Sequence, residues 1–169
     1  MARISLNLKD WKMEKLDLAI ESIKKGLTIL DEISGGDGSI AVFGSARTEE
    51  NSTVYKEGYA LGKWATEAGI HIITGGGPGV MEAVNRGAFE NKGEGLSIGC
   101  GVLLPMENKS NQYLDKVHVF EHFFSRKIIL MRDVDAYIFM EGGVGTMDEL
   151  FEVLTLMQTE IIEKRPIYI

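Results

Sequence analysis

Apolar and polar residues alternate along the chain in blocks typical of amphipathic helices and short buried strands. Five apolar residues near the N-terminus recur at helical spacing: Leu16, Ile20, Ile23, Leu27 and Leu30. They predict a helix within an N-terminal segment, residues 1–36. Strand-like runs follow, separated by helical segments; the runs are "SIAVF", "IHIIT", "LSIGCGVLLP", "KVHVF", "AYIFM" and "RPIYI". This alternation predicts a single α/β domain, residues 1–169, whose mainly parallel sheet carries helices on both faces.

Two clusters of glycine follow strand-like runs and precede helical segments: "TGGGPG" at residues 74–79 and "EGGVGT" at residues 141–146. Parallel sheets bind ligands beyond the carboxyl ends of their strands, where both clusters are predicted to lie. The free amides and the dipole of a helix N-terminus favour an anion such as phosphate. A single cluster is typical of a tight connection, but two clusters at equivalent places favour a ligand site.

Familiar cofactor and catalytic motifs are matched only in part. Neither cluster has the G-x-G-x-x-G spacing and no segment has P-loop spacing, so neither a nicotinamide cofactor nor ATP is indicated. "GLSIG" at 95–99 has the letters G-x-S-x-G, but strand-like sequence continues where a nucleophile needs a turn into a helix. "HVFEH" at 118–122 has the letters H-x-x-E-H, but it alternates like a strand and no metal site is expected. His71 and Cys100 lie in strand-like runs and are interpreted as core residues.

Glu149 allows two interpretations. It follows Thr146 by three residues, which is the spacing of a capping box at a helix N-terminus. Its carboxylate can instead project from the first turn towards a ligand above that N-terminus. Arg126 and Lys127 are similarly either a solvated basic pair on a helix or, because this helix follows a strand end, cations within reach of a ligand in the glycine loops.

Composition narrows the range of partners. The chain has 169 residues and a net charge of -7. Such an acidic domain is a poor partner for nucleic acid polymers, whose affinity comes from basic residues on phosphates, although a local site can still hold a small anion. The single cysteine, Cys100, forms no internal disulfide, which is typical of a cytoplasmic protein. No run reaches the roughly 18 apolar residues needed to span a membrane.

Three segments, "GGGPGVMEAVNRGA", "SRK" and "EGGVGTMDEL", in this order and spacing, resemble the LOG ("Lonely Guy") family, whose members are often mislabelled lysine decarboxylases. The resemblance runs from about Ile40 to the end of the chain. It implies a Rossmann-like three-layer sandwich and a phosphoribohydrolase acting on nucleoside 5'-monophosphates. Such an enzyme cuts the N-glycosidic bond of an AMP-like nucleotide or a cytokinin riboside monophosphate, giving free base and ribose 5-phosphate. No metal or organic cofactor is required for this chemistry.

The resemblance also implies roles for individual positions. Arg126 and Glu149 match the catalytic arginine and glutamate. Substrate or phosphate binding is implied for Ser45, Gly75, Gly76, Gly77, Gly79, Glu82, Lys127, Gly142, Gly143, Gly145 and Thr146. No lysine stands out as the pyridoxal-binding residue that a decarboxylase needs. Relatives of this fold also serve as carriers that bind a nucleotide or molybdenum cofactor without turnover, but a pure binder does not need the Arg126 and Glu149 pair.

Two features depart from the family pattern. Glu141 stands where the signature has a leading proline, and an acid beside a phosphate site weakens anion binding unless it points away or pairs with Arg126 or Lys127. The chain stops at "RPIYI" inside a predicted strand, where family members usually continue, so a truncated C-terminus is expected. The family, together with the strongly apolar helix around residues 150–157, implies a homodimer or larger assembly.

Overall fold

The computed structural model describes residues 13–33, 38–103, 110–132 and 134–169, which form alternating helices and strands. The elements are α1 Met13–Ile33, β1 Ser39–Phe43, α2 Thr53–Glu67, β2 His71–Thr74, α3 Val80–Glu90, β3 Ser97–Val102, β4 Lys116–Phe120, α4 Phe123–Leu130, β5 Ala136–Phe139, α5 Val144–Gln158 and β6 Ile167–Tyr168. The predicted order of elements is confirmed. Residues 1–12 and 34–36 of the N-terminal segment, and Leu104 and Pro105 of the third strand-like run, lie outside the described ranges.

The six strands lie in one sheet in the order β4-β3-β2-β1-β5-β6, and every neighbouring pair is parallel. The predicted parallel sheet is therefore confirmed. Strands β1 and β2 are buried at every position, as expected for central strands covered on both faces. Strands β2, β3 and β4 extend the sheet on one side of β1, whereas β5 and β6 extend it on the other. The strand order thus reverses between β1 and β5.

Helices cover both faces of this sheet, as predicted. On one face, β1 directs Ala41 and Phe43 into a core that is completed by α4 and α5 and by the partly buried side of α1. On the opposite face, Ile40 and Val42 pack with residues of α2 and α3. Alternate residues of β1 therefore serve two cores, which gives a three-layer sandwich. None of the helices in the described ranges is long and apolar enough to cross a membrane.

Helix α1 packs through only part of its apolar stripe. Leu16 is 43% exposed and Ile20 48% exposed, whereas Ala19 is buried. The reason is a close approach at Gly26, where a Cβ would lie only 2.7 Å from Cγ1 of Ile129. The small residues turn inwards because they let α1 approach α4 closely. Of the other predicted stripe residues, Ile23 and Leu27 pack against the core, and the side chain of Leu30 lies outside the description.

Candidate functional site

The carboxyl ends of β1 and β5 meet where the strand order reverses. Phe43 and Phe139, the last residues of these strands, stack with their ring centroids 4.8 Å apart. Just beyond them, the Ser45 amide donates a hydrogen bond of 3.0 Å to the Glu141 carbonyl and ties the two loops together. Open parallel sheets bind their ligands at such a switch point.

A crevice of about 470 Å³ opens at this switch point. Its walls come from the loops after β1, β2 and β5 and from α4 and α5. Of the residues expected from the sequence, it is lined by Ser45, Gly75, Arg126, Gly143, Gly145, Thr146 and Glu149. Gly142 lines an adjoining hollow of about 300 Å³, together with Glu141. The crevice therefore joins both expected catalytic residues to most of the second glycine cluster.

Arg126 and Glu149 form an ion pair inside the crevice. Nη2 of Arg126 donates to Oε1 of Glu149 at 2.5 Å, and the two side chains are only 13% and 12% exposed. The guanidinium also lies over the ring of Phe123, 5.3 Å from its centroid. Its buried Nε has no hydrogen-bond partner among the described residues. The arginine is thus held by one carboxylate and one aromatic face.

Burial has the largest effect on the pKa of Glu149. It raises the pKa of this carboxyl above the ordinary glutamate value, although the neighbouring Arg126 charge acts in the opposite direction. Removal from water destabilises the charged form of a carboxyl. A carboxyl with a raised pKa beside a fixed positive charge is the kind of group found at functional sites.

The loop after β2 brings the first glycine cluster to the edge of the crevice. A Cβ on Gly75 would lie 3.2 Å from Nη1 of Arg126, so glycine leaves room for the guanidinium. Gly76 and Gly79 have φ values of +68° and +69°, which favour glycine. The carbonyl of Ser45 accepts from the Val80 amide at 2.9 Å, at the start of α3. Gly76, Gly77 and Gly79 therefore shape the loop without lining the crevice.

A buried polar network that the sequence analysis did not anticipate supports this loop. Asn85 is fully buried. Its Oδ1 accepts from Oγ1 of Thr74 at 2.7 Å and from Nδ2 of Asn111 at 3.0 Å, and its own Nδ2 donates to Oγ of Ser97 at 2.9 Å. Oγ1 of Thr74 in turn accepts from the Gly76 amide at 2.9 Å. Buried and mutually satisfied groups of this kind fix a backbone in one conformation.

The start of α5 differs from the capping box predicted for it. The helix begins at Val144, its N-cap is Gly143, and no side chain caps it. Thr146 is therefore the third residue of the helix and Glu149 belongs to its second turn, so the predicted Thr146 cap is wrong. The glycine loop winds directly into the helix, and the N-cap lies three residues upstream of Thr146, at Gly143. Met147 donates to the Gly143 carbonyl at 3.1 Å, so the amides of residues 144–146 have no partner within the helix.

Lys127 and Glu82 lie away from the crevice wall. Nζ of Lys127 binds Oδ2 of Asp148 at 2.6 Å and Oε2 of Glu152 at 2.5 Å. Burial lowers the pKa of Lys127, but these two carboxylates outweigh burial and raise it above its ordinary value. Oε1 of Glu82 accepts from the Tyr55 hydroxyl at 3.1 Å, between α3 and α2. Neither residue lines the crevice, although the charge of Lys127 acts to lower the pKa of Glu149.

The partly matched motifs turn out to be structural. Ser97 lies in β3 with its hydroxyl bonded to Asn85 and to the Tyr113 carbonyl, and His118 lies in β4, as the alternation predicted. Nδ1 of His71 accepts from the Leu96 amide at 3.0 Å. Burial raises the pKa of the Cys100 thiol to about 12. Among the described residues, no three histidine, cysteine or acidic side chains are close enough to hold a metal ion.

Arg47 lines both the crevice and the adjoining hollow, and the sequence analysis assigned it no role. Its amide donates to Oγ of Ser45 at 3.1 Å, so a turn directly after β1 fixes its backbone. The signal available in the sequence was a basic residue just beyond a central strand, the position where parallel sheets bind ligands.

The fold and the crevice define a Rossmann-like α/β protein with a ligand site at the switch point. A family model described as "Possible lysine decarboxylase" matches residues 81–169, the part that contains Arg126 and Glu149. The chain belongs to this family, the LOG family, as its motifs predicted.

One curated relative is the probable cytokinin riboside 5'-monophosphate phosphoribohydrolase LOGL5 of Oryza sativa subsp. japonica. It is 30% identical over 126 residues, which cover 74% of this chain and 51% of the relative. The chain spans about half the length of the curated relatives it matches. The family is therefore shown, and the activity has to be argued from the site.

Solved structures of similar fold include proteins that carry a cofactor. The molybdenum cofactor carrier protein MCP from Chlamydomonas reinhardtii is 27% identical with a TM-score of 0.59, covering 77% of this chain and 74% of that one. The molybdenum cofactor binding protein from Rippkaea orientalis is 29% identical with a TM-score of 0.55, covering 69% of each chain. The chain is thus similar in sequence to proteins described as enzymes and similar in fold to proteins described as carriers.

Proposed function

We propose that the protein hydrolyses the N-glycosidic bond of a nucleoside 5'-monophosphate and releases the free base and ribose 5-phosphate. The observation that carries this proposal is the Arg126–Glu149 ion pair, 2.5 Å long, inside the crevice at the switch point. The proposal is supported by the similarity to curated relatives that are named as cytokinin riboside 5'-monophosphate phosphoribohydrolases.

The start of α5 is suited to the 5'-phosphate. Gly143 and Gly145 line the crevice, and a Cβ on either would meet no atom within 4 Å. The amides of residues 144–146 point out of the helix N-terminus, whose dipole favours an anion. A phosphate bound there would fix the ribose relative to Glu149, two turns or less along the same helix. Such positioning removes much of the entropic cost of reaction.

Glu149 is suited to the sugar cation that forms as the bond breaks. Cleavage passes through an oxocarbenium-like ribose, the charge pattern known from glycoside hydrolysis. The base leaves with the bonding electrons and gains a proton, while the oxygen of water bonds to the anomeric carbon and releases a proton. A buried carboxylate stabilises the sugar cation and orients the water. Arg126 stays charged throughout, so it acts as an electrostatic stabiliser and orients Glu149.

The alternative is a non-catalytic carrier of a nucleotide or of molybdenum cofactor, which the similar solved structures favour. Glycine loops at a helix N-terminus would serve a carrier equally well. A carrier, however, has no need of a carboxylate ion-paired with an arginine inside the ligand crevice, whereas cleavage of a glycosidic bond uses both groups. The Arg126–Glu149 ion pair within the crevice therefore supports the hydrolase over the carrier.

A panel of nucleoside monophosphates tests the proposal. Purified protein is incubated with AMP, GMP, CMP, UMP and a cytokinin riboside monophosphate, and free base is measured by chromatography. We expect release of base from at least one of them, and release from the matching nucleoside slower by about 10² or more, because binding energy at the phosphate is used at the sugar.

Two results would contradict this scheme. Equal rates for adenosine and AMP would exclude a phosphate anchor. Nucleotide binding with no base released from any member of the panel would exclude the hydrolase and favour the carrier.

A further inference from the structure

The charged side chains that line the crevice are mostly committed to one another. They are Arg47, Arg126, Asp148 and Glu149. Arg126 is paired with Glu149, and Asp148 is paired with Lys127 at 2.6 Å. Within the described part of the chain, the Arg47 guanidinium has no hydrogen-bond or ion-pair partner. Arg47 is therefore the crevice cation whose charge is not already balanced by a neighbouring carboxylate.

The backbone of Arg47 is nevertheless held firmly. Its amide bonds to the Ser45 hydroxyl at 3.1 Å, and the Ser45 amide bonds to the Glu141 carbonyl at 3.0 Å. Arg47 is thus anchored to the loops of both central strands while its side chain remains exposed. It stands on the boundary between the crevice and the hollow beside it.

A phosphate monoester needs more positive charge than the rest of the crevice supplies. It carries about -1.5 to -2 charges at pH 7, whereas a helix N-terminus contributes only about half a charge. Arg126 is neutralised by Glu149, and the chain as a whole carries a net charge of -7. An arginine can bind phosphate through two parallel hydrogen bonds, so an uncommitted arginine matches this need in both charge and geometry.

We propose that Arg47 is the specificity-determining residue that recognises the 5'-phosphate and makes the site select nucleoside monophosphates over nucleosides. This inference rests on the proposed function, because it assigns the phosphate of that substrate to the crevice. Arg47 and the amides at the start of α5 then bind the phosphate together, leaving Arg126 and Glu149 to the sugar and the leaving base.

The hollow beside the crevice gives the proposal a second consequence. Arg47 lines it together with the acids Glu49 and Glu141. These carboxylates attract the same guanidinium that the phosphate requires, so they compete with the ligand through their charge. Removing the charge of Glu141 by Glu141→Gln is expected to tighten phosphate binding by a few-fold, in the direction opposite to removal of Arg47.

Calorimetric binding measurements test Arg47 without requiring turnover. The probes are ribose 5-phosphate, which has the phosphate but no base, and adenosine, which has the base but no phosphate. Arg47→Ala and Arg47→Gln are each expected to raise the Kd for ribose 5-phosphate by tenfold or more and to leave adenosine binding unchanged. Arg47→Lys should recover part of the affinity, because it restores the charge but not the paired hydrogen bonds.

Arg165→Ala is the matched control. Arg165 is a partly exposed arginine paired with Glu163, it lines a separate cavity between α4 and α5, and its loss changes the net charge equally. Unchanged binding of ribose 5-phosphate in both Arg47→Ala and Arg47→Gln would overturn the proposal. So would an equal loss of binding in Arg165→Ala, or a wild-type protein that binds no ribose 5-phosphate.

The outcomes separate this inference from the proposed function. If loss of Arg47 weakens binding of ribose 5-phosphate but the wild-type protein releases no base, phosphate recognition by Arg47 stands and the hydrolase is wrong. If the wild-type protein hydrolyses AMP and both Arg47 variants bind ribose 5-phosphate normally, the hydrolase stands and the role of Arg47 is wrong.

Discussion

Glu149 projects from the second turn of α5 and binds Arg126, so its carboxylate is committed to the crevice and does not cap the helix. If it stabilises a sugar cation, Glu149→Gln removes the charge at the transition state while preserving the size of the side chain. We expect kcat to fall by about 10² or more with KM little changed. The measurement is steady-state release of base from the preferred monophosphate, with circular dichroism to verify folding.

Arg126, the ion-pair partner of Glu149, provides a second test of the catalytic role. Arg126→Ala should lower kcat similarly, and the double variant should lose less than the product of the two single effects, since both residues act on one transition state. Near-normal turnover in a well-folded Glu149→Gln protein would refute the catalytic role and favour the carrier.

The raised pKa of Glu149 predicts how activity responds to acid. Burial raises this pKa above the ordinary value of 4.5, against the effect of Arg126. We expect kcat/KM to fall as the pH drops through the raised pKa, so that the acid limb of the profile lies above pH 4.5. The limb should be absent from the residual activity of Glu149→Gln. A wild-type profile that is flat down to the ordinary glutamate range would show that the ionised carboxyl is not required.

The same shift has a defined sign for stability. The folded-state pKa of Glu149 lies above the unfolded-state value, so the folded protein binds the proton more readily. The contribution of this group to the free energy of unfolding is therefore present in full below the unfolded-state pKa. It is lost as the pH rises through the folded-state pKa. Ionisation of Glu149 therefore lowers the free energy of unfolding.

At the residue scale, the sequence predicts that Glu149 lies on a helix after a glycine loop, but it does not show which turn of the helix carries this residue. The capping signal depends on a hydroxyl at the helix start. Here Gly143 takes that position and Thr146 is buried within the first turn. Arg47 was missed for a different reason: its position just beyond a central strand was its one signal, and no motif or periodicity accompanied it.

Two glycines near the start of α5, where we propose that the phosphate binds, are under different constraints. A Cβ on Gly142 would overlap the side chain of Thr146, whereas one on Gly145 would meet nothing within 4 Å. Gly142→Ala is therefore expected to lower the free energy of unfolding by about 1–3 kcal/mol, as overpacking does. Gly145→Ala is expected to raise it by up to about 1 kcal/mol, because alanine favours the helix.

Gly145→Ala is expected to weaken the binding of phosphate although it stabilises the fold. Gly145 lines the crevice, so its added methyl group occupies the space expected for the phosphate. Gly145→Ala should thus be more stable than the wild type in thermal unfolding and bind ribose 5-phosphate at least about tenfold more weakly, a trade-off common at ligand sites. A stabilised Gly145→Ala protein with normal affinity would show that the phosphate does not bind at the start of α5.

Strands and helices were predictable because their burial leaves a strong pattern. Strands β1 and β2 are buried at every position, and continuous apolar runs marked them in the sequence. The packed face of α1 was harder to predict, since its closest contact is made by Gly26, a residue without an apolar side chain. A pattern of large apolar residues cannot show where small residues let two helices approach.

At the scale of the whole molecule, the sheet gathers residues that are far apart in the sequence. Ser45, Gly75, Arg126 and Glu149 come from four separate segments and line one crevice. The general rule for parallel sheets predicted that these segments share an edge. The pairing of β1 with β5 was not predictable, because backbone hydrogen bonds between strands leave no signal in the sequence of either strand.

Leu150, Val153 and Met157, part of the apolar helix behind the expectation of a homodimer, are buried in the core of this chain. The proposal of a homodimer rests instead on the outer face of α5. It exposes an apolar stripe with spacing of three and four residues, consisting of Val144, Met147, Phe151 and Leu154, and the neighbouring α4 exposes Phe123, Phe124 and Ile128. A contiguous apolar surface of this kind is typical of a protein interface. A second copy related by a twofold axis can cover it with the same residues.

Phe151, which is 63% exposed at the centre of this stripe, provides the test. The wild-type protein should have a mass of at least two chains in light scattering at micromolar concentration. Phe151→Asp should have the mass of one chain, because a charge buried in an apolar interface is strongly unfavourable. Trp64→Asp is the matched control, since Trp64 is 54% exposed on α2, on the opposite side of the sheet, and its loss should leave the mass unchanged.

A monomeric wild type would refute the dimer, and dissociation by both variants would place the interface elsewhere. If dimerisation depends on Phe151 alone, the crevice lies beside the interface, because Phe123 and Val144 border both surfaces.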